Sequence, residues 1–193
     1  MTAYAGMSAG PFVLNAETLQ QVQVILKRYP ADRSASAVMP ILDLVQRQNG
    51  GWLSIEAIAC VADFLKMPEI RMWEVATFYS LFNIKPVGTY MVRICGTTPC
   101  ALRGSGKIMK TCEKWLGIEA GETTDDGMFT IQEVECLGAC ANAPVAYIND
   151  AYYEDLTPSS MSHILERLAD GDIPEEGSQK RVAGDDDRKE KPC

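Results

Sequence analysis

The sequence predicts an α/β fold in two parts, a helical bundle over residues 1–83 and a domain of strands and helices over residues 84–169. In the first part, apolar residues recur at steps of three and four, which is the spacing of amphipathic helices. In the second part, short runs alternate between apolar and polar residues, which is the period of a strand. The change in period predicts the boundary between the two parts.

Four short helices are expected in the first part. Their predicted starts and ends are marked by Asn15 and Pro30, by Ser36 and Asn49, by Ser54, and by Pro68. Asparagine and serine are common N-caps because their side-chain oxygens accept a hydrogen bond from a free backbone N–H, and proline is tolerated in a first turn. Short amphipathic helices with brief connections indicate a small bundle. Phe78, Tyr79 and Phe82, at its end, are expected to pack the bundle against the second part, and contact with a partner protein is the alternative.

The second part begins with a β-α-β pattern. Residues 90–94 and 129–134 are strand-like, and residues 101–116 between them allow a helix that Gly104 and Gly106 weaken in its first turns. Strands joined by such a crossover are usually parallel neighbours. We therefore expect the carboxyl ends of both strands to meet at one edge of a sheet.

A β-β-α pattern follows. Residues 145–148 and 151–153 are strand-like, and Asn149-Asp150 between them suits a two-residue hairpin turn. Thr157 followed by Pro158 marks the start of a last helix. The complete order, β-α-β-β-β-α, is that of a thioredoxin-like domain.

Residues 170–193 differ in composition from the rest of the chain. They include eight acidic and five basic residues and almost no apolar ones. Segments of low hydrophobicity and high charge cannot bury enough apolar surface to fold. We expect a solvated, disordered tail.

The whole chain has 193 residues, is 47% hydrophobic and carries a formal charge of −8. Nucleic-acid binding is disfavoured, because phosphate contacts need clustered Lys and Arg. No apolar run approaches the ~20 residues that span a bilayer, and residues 1–24 lack the Lys and Arg of a secretory or transit signal. We expect a cytoplasmic or already processed protein that reaches a membrane only through a partner.

Four of the seven cysteines form two pairs, Cys95 with Cys100 and Cys136 with Cys140, and each pair follows a predicted strand. Clustered thiols in a cytoplasmic chain indicate metal binding or redox chemistry rather than disulfides. The gaps of four and three residues are wider than those of common zinc knuckles and of thioredoxin dithiols, and they suit the two irons of a 2Fe-2S centre. A zinc-stabilised interaction module with the same four ligands is the alternative.

The loops beside these cysteines are expected to direct backbone N–H groups at the sulfurs. Residues 96–98 and 137–139 are compact, and Gly96 and Gly138 permit backbone angles that side chains obstruct. Cys100 lies near the start of the helix predicted over residues 101–116, where the positive end of the helix dipole favours a thiolate. Both loops are therefore suited to negatively charged sulfur ligands.

The remaining cysteines and the single histidine are not expected to be ligands. Cys60 and Cys112 lie in helical patterns, where a free cysteine is usually a small buried apolar residue. Cys193 ends the polar tail, and His163 falls between the apolar positions of the last helix. The two cysteine pairs thus carry the predicted chemistry alone.

The residues also resemble a known family. The matching segments are Gly51-Trp52-Leu53-Ser54, Glu74-Val75-Ala76-Thr77-Phe78-Tyr79 with Phe82, Cys95 with Cys100, and Cys136-Leu137-Gly138-Ala139-Cys140. Over about residues 14–168, the chain resembles the E-type, thioredoxin-like 2Fe-2S subunit of NADH:quinone oxidoreductase, respiratory complex I. Relatives of that subunit occur in NAD-linked hydrogenases and formate dehydrogenases, which are the alternative hosts.

The resemblance implies one 2Fe-2S cluster held by Cys95, Cys100, Cys136 and Cys140. It implies an electron-transfer subunit that performs no substrate chemistry alone. The expected partners are a flavoprotein subunit that binds FMN and NADH and the rest of the peripheral arm of complex I. The resemblance places such a complex at the cytoplasmic face of a bacterial inner membrane, or on the matrix side in mitochondria.

Overall fold

The computed structural model describes residues 11–180. Within that range the chain divides into two compact units, one ending at Val87 and the other beginning at Gly88. The first unit is helical and the second contains a five-stranded mixed sheet with helices, so the predicted α/β fold is confirmed. No helix in residues 11–180 has both the length and the apolar character needed to cross a membrane. The predictions made for residues 1–10 and for Cys193 fall outside the described residues.

Four helices form the first unit: α1 spans Ala16–Leu26, α2 Val38–Gln48, α3 Ile55–Leu65 and α4 Glu69–Phe78. A 3-10 helix over Ala31–Ala37 precedes α2. Because of this extra element, α2 begins at Val38 rather than at the predicted Ser36, and Pro40 still lies in its first turn.

Side-chain caps hold the starts of α1 and α3, as predicted. Oδ1 of Asn15 accepts a 2.7 Å hydrogen bond from the N–H of Thr18, and Oγ of Ser54 accepts one of 3.1 Å from the N–H of Ala57. Each bond satisfies a donor that the helix itself leaves free, and such a cap typically stabilises a helix by about 1 kcal/mol. Local sequence thus determines where both helices begin.

The helical unit encloses its own apolar core. Buried side chains come from α1 to α4 and from the segment after α4: Val22, Ile41, Leu42, Val45, Leu53, Ile58, Val61, Met72 and Phe82. Beside them, the amide of Gln46 donates to the carbonyl of Leu81 at 3.1 Å and accepts from the N–H of Asn83 at 2.7 Å. These bonds hold the segment after α4 against α2.

The aromatic residues around the end of α4 differ in their exposure. Phe82 is buried in the helical core and packs within the bundle. Phe78 is 79% exposed, and its ring meets the partly exposed ring of Tyr79 edge-on, with 4.9 Å between centroids. The buried face of α4 includes Met72 and Ala76 and does not include Phe78. Packing of these rings between the two parts stays a prediction.

The second unit is built on a sheet of five strands: β1 spans Tyr90–Cys95, β2 Phe129–Val134, β3 Ala146–Ile148, β4 Ala151–Glu154 and β5 Gly177–Ser178. The strand order is β2-β1-β3-β4-β5. β1 pairs in parallel with β2 and antiparallel with β3. Cys95, the last residue of β1, lies opposite Val134, the last residue of β2. The carboxyl ends of both strands meet at one edge, as predicted.

Three helices accompany the sheet: α5 spans Thr98–Leu102, α6 Ser105–Leu116 and α7 Pro158–Ala169. The single helix expected over residues 101–116 is instead divided into α5 and α6. Gly104 separates them with a φ of 97°, a left-handed conformation that glycine adopts without steric cost. α7 begins as predicted, with a reciprocal pair of hydrogen bonds between Thr157 and Ser160.

β3 and β4 form the predicted hairpin. Ile148 lies opposite Ala151, and Asn149-Asp150 make the turn between them. Asn149 has a φ of 51°, and Oδ1 of its side chain accepts a 2.9 Å hydrogen bond from the N–H of Met91. Asparagine is favoured at such turns because it tolerates positive φ. Asn149 therefore adopts the backbone conformation of the turn, and its side chain binds the turn to β1.

Residues 170–180 contradict the predicted disordered tail. β5 extends the sheet by pairing in parallel with β4, and Nζ of Lys180 lies 2.7 Å from Oδ1 of Asp155. The hydroxyl of Tyr153 donates to the carbonyl oxygen of Pro174 at 3.2 Å. Composition does not reveal these contacts, because the segment is held by long-range pairing rather than by apolar residues of its own. Residues 181–193 of the predicted tail lie outside the described range.

The core of the second unit lies between α6, α7 and one face of the sheet. Its buried members are Val92, Ile94, Ile108, Cys112, Phe129, Ile131, Ala146, Ile148, Tyr153, Met161, Ile164, Leu165 and Leu168. Val92 and Ile94 alternate along β1 toward this core, whereas Cys95 belongs to a separate small cluster with Cys100, Ala143 and Val145. The end of β1 thus passes from the main core into the region of the cysteines.

Candidate metal centre

The four predicted ligands lie where β1 and β2 end. Cys95 is the last residue of β1, and Cys100 is the third residue of α5. Cys136 lies just beyond β2, and Cys140 opens a 3-10 helix that ends at Asn142. Because β1 and β2 are parallel neighbours, both loops leave the sheet at the same edge. The structure therefore brings both cysteine pairs to one end of the second unit.

Sulfur contacts occur within each pair and charge effects act between the pairs. The Sγ atoms of Cys136 and Cys140 are 3.5 Å apart. The interaction between the thiols of Cys95 and Cys100 acts to lower the pKa of Cys95 and to raise that of Cys100. Negative charge on Cys95 acts to raise the pKa of both Cys136 and Cys140. All four sulfurs thus belong to one electrostatically connected site.

Backbone N–H groups act on the pKa values of the thiols, in agreement with the prediction. Hydrogen bonds from Thr97 and Leu137 act to lower the pKa of Cys95, one from Val145 that of Cys100, and one from Gly138 that of Cys136. The Leu137 N–H links the two loops, because it lies between Cys136 and Cys140 and acts on Cys95 of the other pair. Oriented amides of this kind stabilise anionic sulfur without bringing in a charged side chain.

The two loop glycines act differently. Gly138 has a φ of 86°, the left-handed conformation for which glycine was predicted, and its N–H donates to Cys136. Gly96 does not have a positive φ, and a Cβ there would instead meet the side chain of Glu133. The prediction of an unusual backbone angle at Gly96 is therefore wrong. The neighbour of Gly96 is thus a flexible carboxylate on β2, which can move aside for a larger residue.

The first pair is buried, and its two pKa values move in opposite directions. Cys95 and Cys100 are each 1% exposed. Burial raises the pKa of the Cys95 thiol, but hydrogen bonds from the Thr97 side chain, from backbone N–H groups and from Cys100 outweigh it, so the net pKa lies below the ordinary value. Burial and the shared bond with Cys95 raise the pKa of Cys100 to about 11. Cys95 is therefore the more readily deprotonated thiol of this pair.

The second pair is exposed, and its two pKa values also move in opposite directions. The N–H of Gly138 lowers the pKa of Cys136, with help from Cys140 and Thr97. The hydrogen bond between the two thiols raises the pKa of Cys140. In each pair one thiol has a raised pKa, and its proton must leave before both sulfurs can bind metal, because the thiolate is the ligand.

The predicted effect of a helix dipole on Cys100 is wrong. Cys100 lies inside α5, which has only five residues, and not at the start of a long helix. A short helix has a weak dipole, and the desolvation of a buried thiol dominates its pKa. The pKa is lowered at Cys95 and raised at Cys100, where the thiolate was predicted.

Two side chains at this site were not predicted from the sequence. Oγ1 of Thr97 lies 3.3 Å from Sγ of Cys95, and the hydroxyl of Tyr152 donates to the carbonyl of Leu137 at 3.0 Å. A hydroxyl residue between two spaced cysteines is a usable signal for Thr97. Tyr152 offers none, since its role depends on the fold that brings β4 beside the loop.

The donor set fits a two-iron centre. Within residues 11–180, no three His, Cys, Asp or Glu side chains are grouped in the way that a single metal ion requires. The sulfurs lie instead as two pairs, and hydrogen bonds from backbone N–H groups act to lower the pKa of all four thiols. A 2Fe-2S cluster takes four cysteine thiolates and is tuned by hydrogen bonds to sulfur. Cys95, Cys100, Cys136 and Cys140 are the residues that would hold it.

Other candidate ligands lie elsewhere. Cys112 is fully buried in the core of the second unit, and burial raises its pKa to about 12. Cys60 is half-buried on α3, where burial raises its pKa as well. His163 lies on α7 with an exposed side chain beside Glu166. These positions agree with the structural roles expected for them.

Comparison with known proteins identifies the family. Residues 22–169 match the family described as thioredoxin-like 2Fe-2S ferredoxin. The chain is 55% identical over 157 residues to the E-type subunit of NADH-quinone oxidoreductase from Rickettsia conorii, covering 81% of this chain and 94% of that relative. It is 51% identical over 158 residues to NADH dehydrogenase (ubiquinone) flavoprotein 2, mitochondrial, of Dictyostelium discoideum, covering 82% of this chain and 64% of that relative.

Solved structures show a similar fold. The crystal structure of an NAD+-reducing NiFe-hydrogenase in the air-oxidised state matches with a TM-score of 0.61 and 20% sequence identity. The match covers 72% of this chain and 23% of the hydrogenase chain, and at this identity it demonstrates likeness of fold alone. The family match and the similarity to the Rickettsia conorii relative both extend over most of the sequence. The chain belongs to the thioredoxin-like 2Fe-2S ferredoxin family.

Proposed function

We propose that this chain is the electron-transfer subunit of the NADH-oxidising module of an NADH:quinone oxidoreductase. The observation that carries the proposal is the meeting of two cysteine pairs at one edge of the sheet, with N–H donors aimed at their sulfurs. The relatives that are named as parts of NADH-quinone oxidoreductases support the choice of host complex. The similar subunit of an NAD-linked hydrogenase is the second candidate, favoured by the fold match.

The chain itself contributes position and electrostatics. When bound, a 2Fe-2S cluster accepts and returns one electron at a time. Cys95, Cys100, Cys136 and Cys140 would hold it, and the N–H groups of Leu137 and Gly138 would stabilise the negative charge on the sulfurs. Burial of Cys95 and Cys100 excludes water from one side, while exposed Cys136 and Cys140 face outward. The exposed side is where electrons would enter and leave.

The proposed electron partner is a flavoprotein subunit that binds FMN and NADH. An electron carrier without a substrate site of its own must dock on the protein that supplies its electrons. The exposed pair Cys136 and Cys140 offers a short path for that exchange. The exposed rings of Phe78 and Tyr79 supply an apolar contact for a partner in the same assembly. We place the assembly at the cytoplasmic or matrix face of a membrane, held there by its other subunits.

The test is the metal content of the full chain. Anaerobic purification followed by iron, sulfide and visible-absorption assays is expected to give a coloured protein with about two irons and two sulfides per chain. Cys136→Ala should lose iron, whereas Cys60→Ala, at a cysteine outside the site, should retain it. A colourless protein that contains one zinc would instead identify a zinc-stabilised interaction module.

The choice of host complex needs a separate measurement. Co-purification of the tagged full-length chain from its own cells, followed by mass spectrometry, should recover an FMN-binding flavoprotein together with other subunits of a quinone reductase. Recovery of hydrogenase or formate dehydrogenase subunits would replace the host assignment and leave the electron-transfer role in place.

A further inference from the structure

Thr97 occupies a helix N-cap position without capping the helix. It directly precedes α5 and has the extended angles of an N-cap, with φ −74° and ψ 167°. Threonine at such a position usually accepts a hydrogen bond from a backbone N–H of the first turn. The Thr97 side chain makes no such bond. Its hydroxyl is therefore committed to another contact.

That contact is with the sulfur of Cys95. Oγ1 of Thr97 lies 3.3 Å from Sγ of Cys95, a predicted ligand and the last residue of β1. Cys95 is 1% exposed, so the hydroxyl of Thr97 lies against a sulfur that is shielded from solvent.

We propose that Thr97 is a positioning residue that raises the reduction potential of the centre by donating a hydrogen bond to the ligand sulfur of Cys95. This inference rests on the proposed function. When one electron arrives from the reduced flavin of the partner, the thiolate sulfurs take up part of the added negative charge. A donor on sulfur stabilises that more negative state, and no bond of Thr97 is made or broken.

The structure offers matched variants for the test. Thr97→Val keeps the shape of the side chain and removes the donor, whereas Thr97→Ser keeps the donor and removes a methyl group. Thr98→Val makes the same change at the next residue, whose side chain is exposed at the start of α5. A general disturbance of the loop would affect both threonine positions, while loss of the sulfur contact would affect Thr97 alone.

The measurement is the midpoint potential of the full chain with its cluster, from a redox titration followed by EPR. We expect Thr97→Val to lower the potential by up to about 59 mV, which is tenfold in the one-electron equilibrium. Thr97→Ser and Thr98→Val should stay near the wild-type potential. A Thr97→Val protein with full iron content and an unchanged potential would overturn the proposal.

If Thr97→Val loses the cluster, its potential cannot be measured. The iron content of Thr97→Ser then tests the proposal instead. Iron kept in the serine variant and lost from the valine variant supports a role for the hydroxyl at the sulfur of Cys95. Iron lost from both variants overturns it, because serine retains the donor. If the wild-type chain itself contains no 2Fe-2S cluster, the proposed function fails first, and this result is seen without any variant.

Discussion

The hydroxyl of Tyr152 donates a 3.0 Å hydrogen bond to the carbonyl oxygen of Leu137, which joins β4 to the loop between Cys136 and Cys140. The ring of Tyr152 also packs on that of Tyr147 on β3, with 4.8 Å between centroids. The hairpin of β3 and β4 therefore supports the exposed half of the proposed centre.

Removing that hydroxyl should loosen the loop more than it destabilises the fold. Tyr152→Phe is expected to cost no more than about 1 kcal/mol in urea unfolding, because the site is partly exposed. The cluster should nevertheless be lost faster to an iron chelator, followed by visible absorption. Tyr90→Phe is the control, since the contribution of Tyr90 is a ring contact with Phe129 that the change preserves. Equal rates of loss in both variants would contradict a supporting role for Tyr152.

The apo protein should react with iodoacetamide in a defined order. Thiolates are the reactive species, so Cys136, which is exposed and has a lowered pKa, should be modified before Cys140 at neutral pH. Cys112, which is buried and has a pKa of about 12, should react last. The advantage of Cys136 should shrink as pH rises, because Cys140 then deprotonates too. Peptide mass spectrometry measures each rate, and urea-unfolded protein, in which the rates should be similar, is the control.

Two glycine-to-alanine changes should have opposite effects on stability. A Cβ on Gly88 would lie 2.8 Å from backbone atoms of Met128 and Phe129, which cannot move aside easily, so we expect a loss of about 1–3 kcal/mol. A Cβ on Gly106 meets nothing within 4 Å and lies in α6, so alanine should stabilise by up to about 1 kcal/mol. Urea midpoints of both variants check the prediction. A Gly88→Ala protein as stable as the wild type would show that the strands can separate at this point.

The exposed ring of Phe78 should matter for association and not for folding. Phe78→Ser is expected to change unfolding free energy by no more than about 0.5 kcal/mol, because the ring is 79% exposed. It should weaken binding of the proposed flavoprotein partner in a pull-down. Phe82→Ser, within the helical core, should instead lower stability sharply. Undiminished partner binding by a folded Phe78→Ser protein would remove this ring from the proposed interface.

Truncation should show whether residues 171–180 stabilise the second unit. Removing residues 171–193 deletes β5 and exposes Tyr153, which is 1% exposed in the intact chain, so the melting temperature should fall. It also breaks the contact of Asp155 with Lys180. Removing only residues 181–193 preserves these contacts and should leave the melting temperature near that of the full chain. Equal melting temperatures of all three proteins would contradict a stabilising role for β5.

Local signals in the sequence were sufficient for most of the fold. The caps at Asn15, Ser54 and Thr157 could be predicted because each bond joins residues three apart. The strand over Phe129–Val134 and the Asn149-Asp150 turn follow from alternation and turn chemistry, which are also local. The predicted ligands meet because the parallel pairing of β1 and β2 fixes where their ends lie.

What could not be predicted depends on contacts between distant residues. β5 has two residues and no pattern of its own, and it exists because β4 presents an open edge to it. The hydroxyl of Thr97 would cap α5 if only local chemistry acted, and the sulfur of Cys95 redirects the bond. The assignment of the thiolate to Cys100 failed for a similar reason, since desolvation follows from packing and not from position in a helix.

β1 and β2 run in the same direction, so their amino ends lie at the edge of the sheet opposite the cysteine pairs. The connection from α6 into β2 folds back along that strand, with Thr123 opposite Thr130, and its exposed tip lies at residues 125–127. An epitope or a fluorescent reporter inserted at this tip would sit one strand length away from the thiols. Such a fusion would let the protein be followed in living cells with its cofactor chemistry undisturbed.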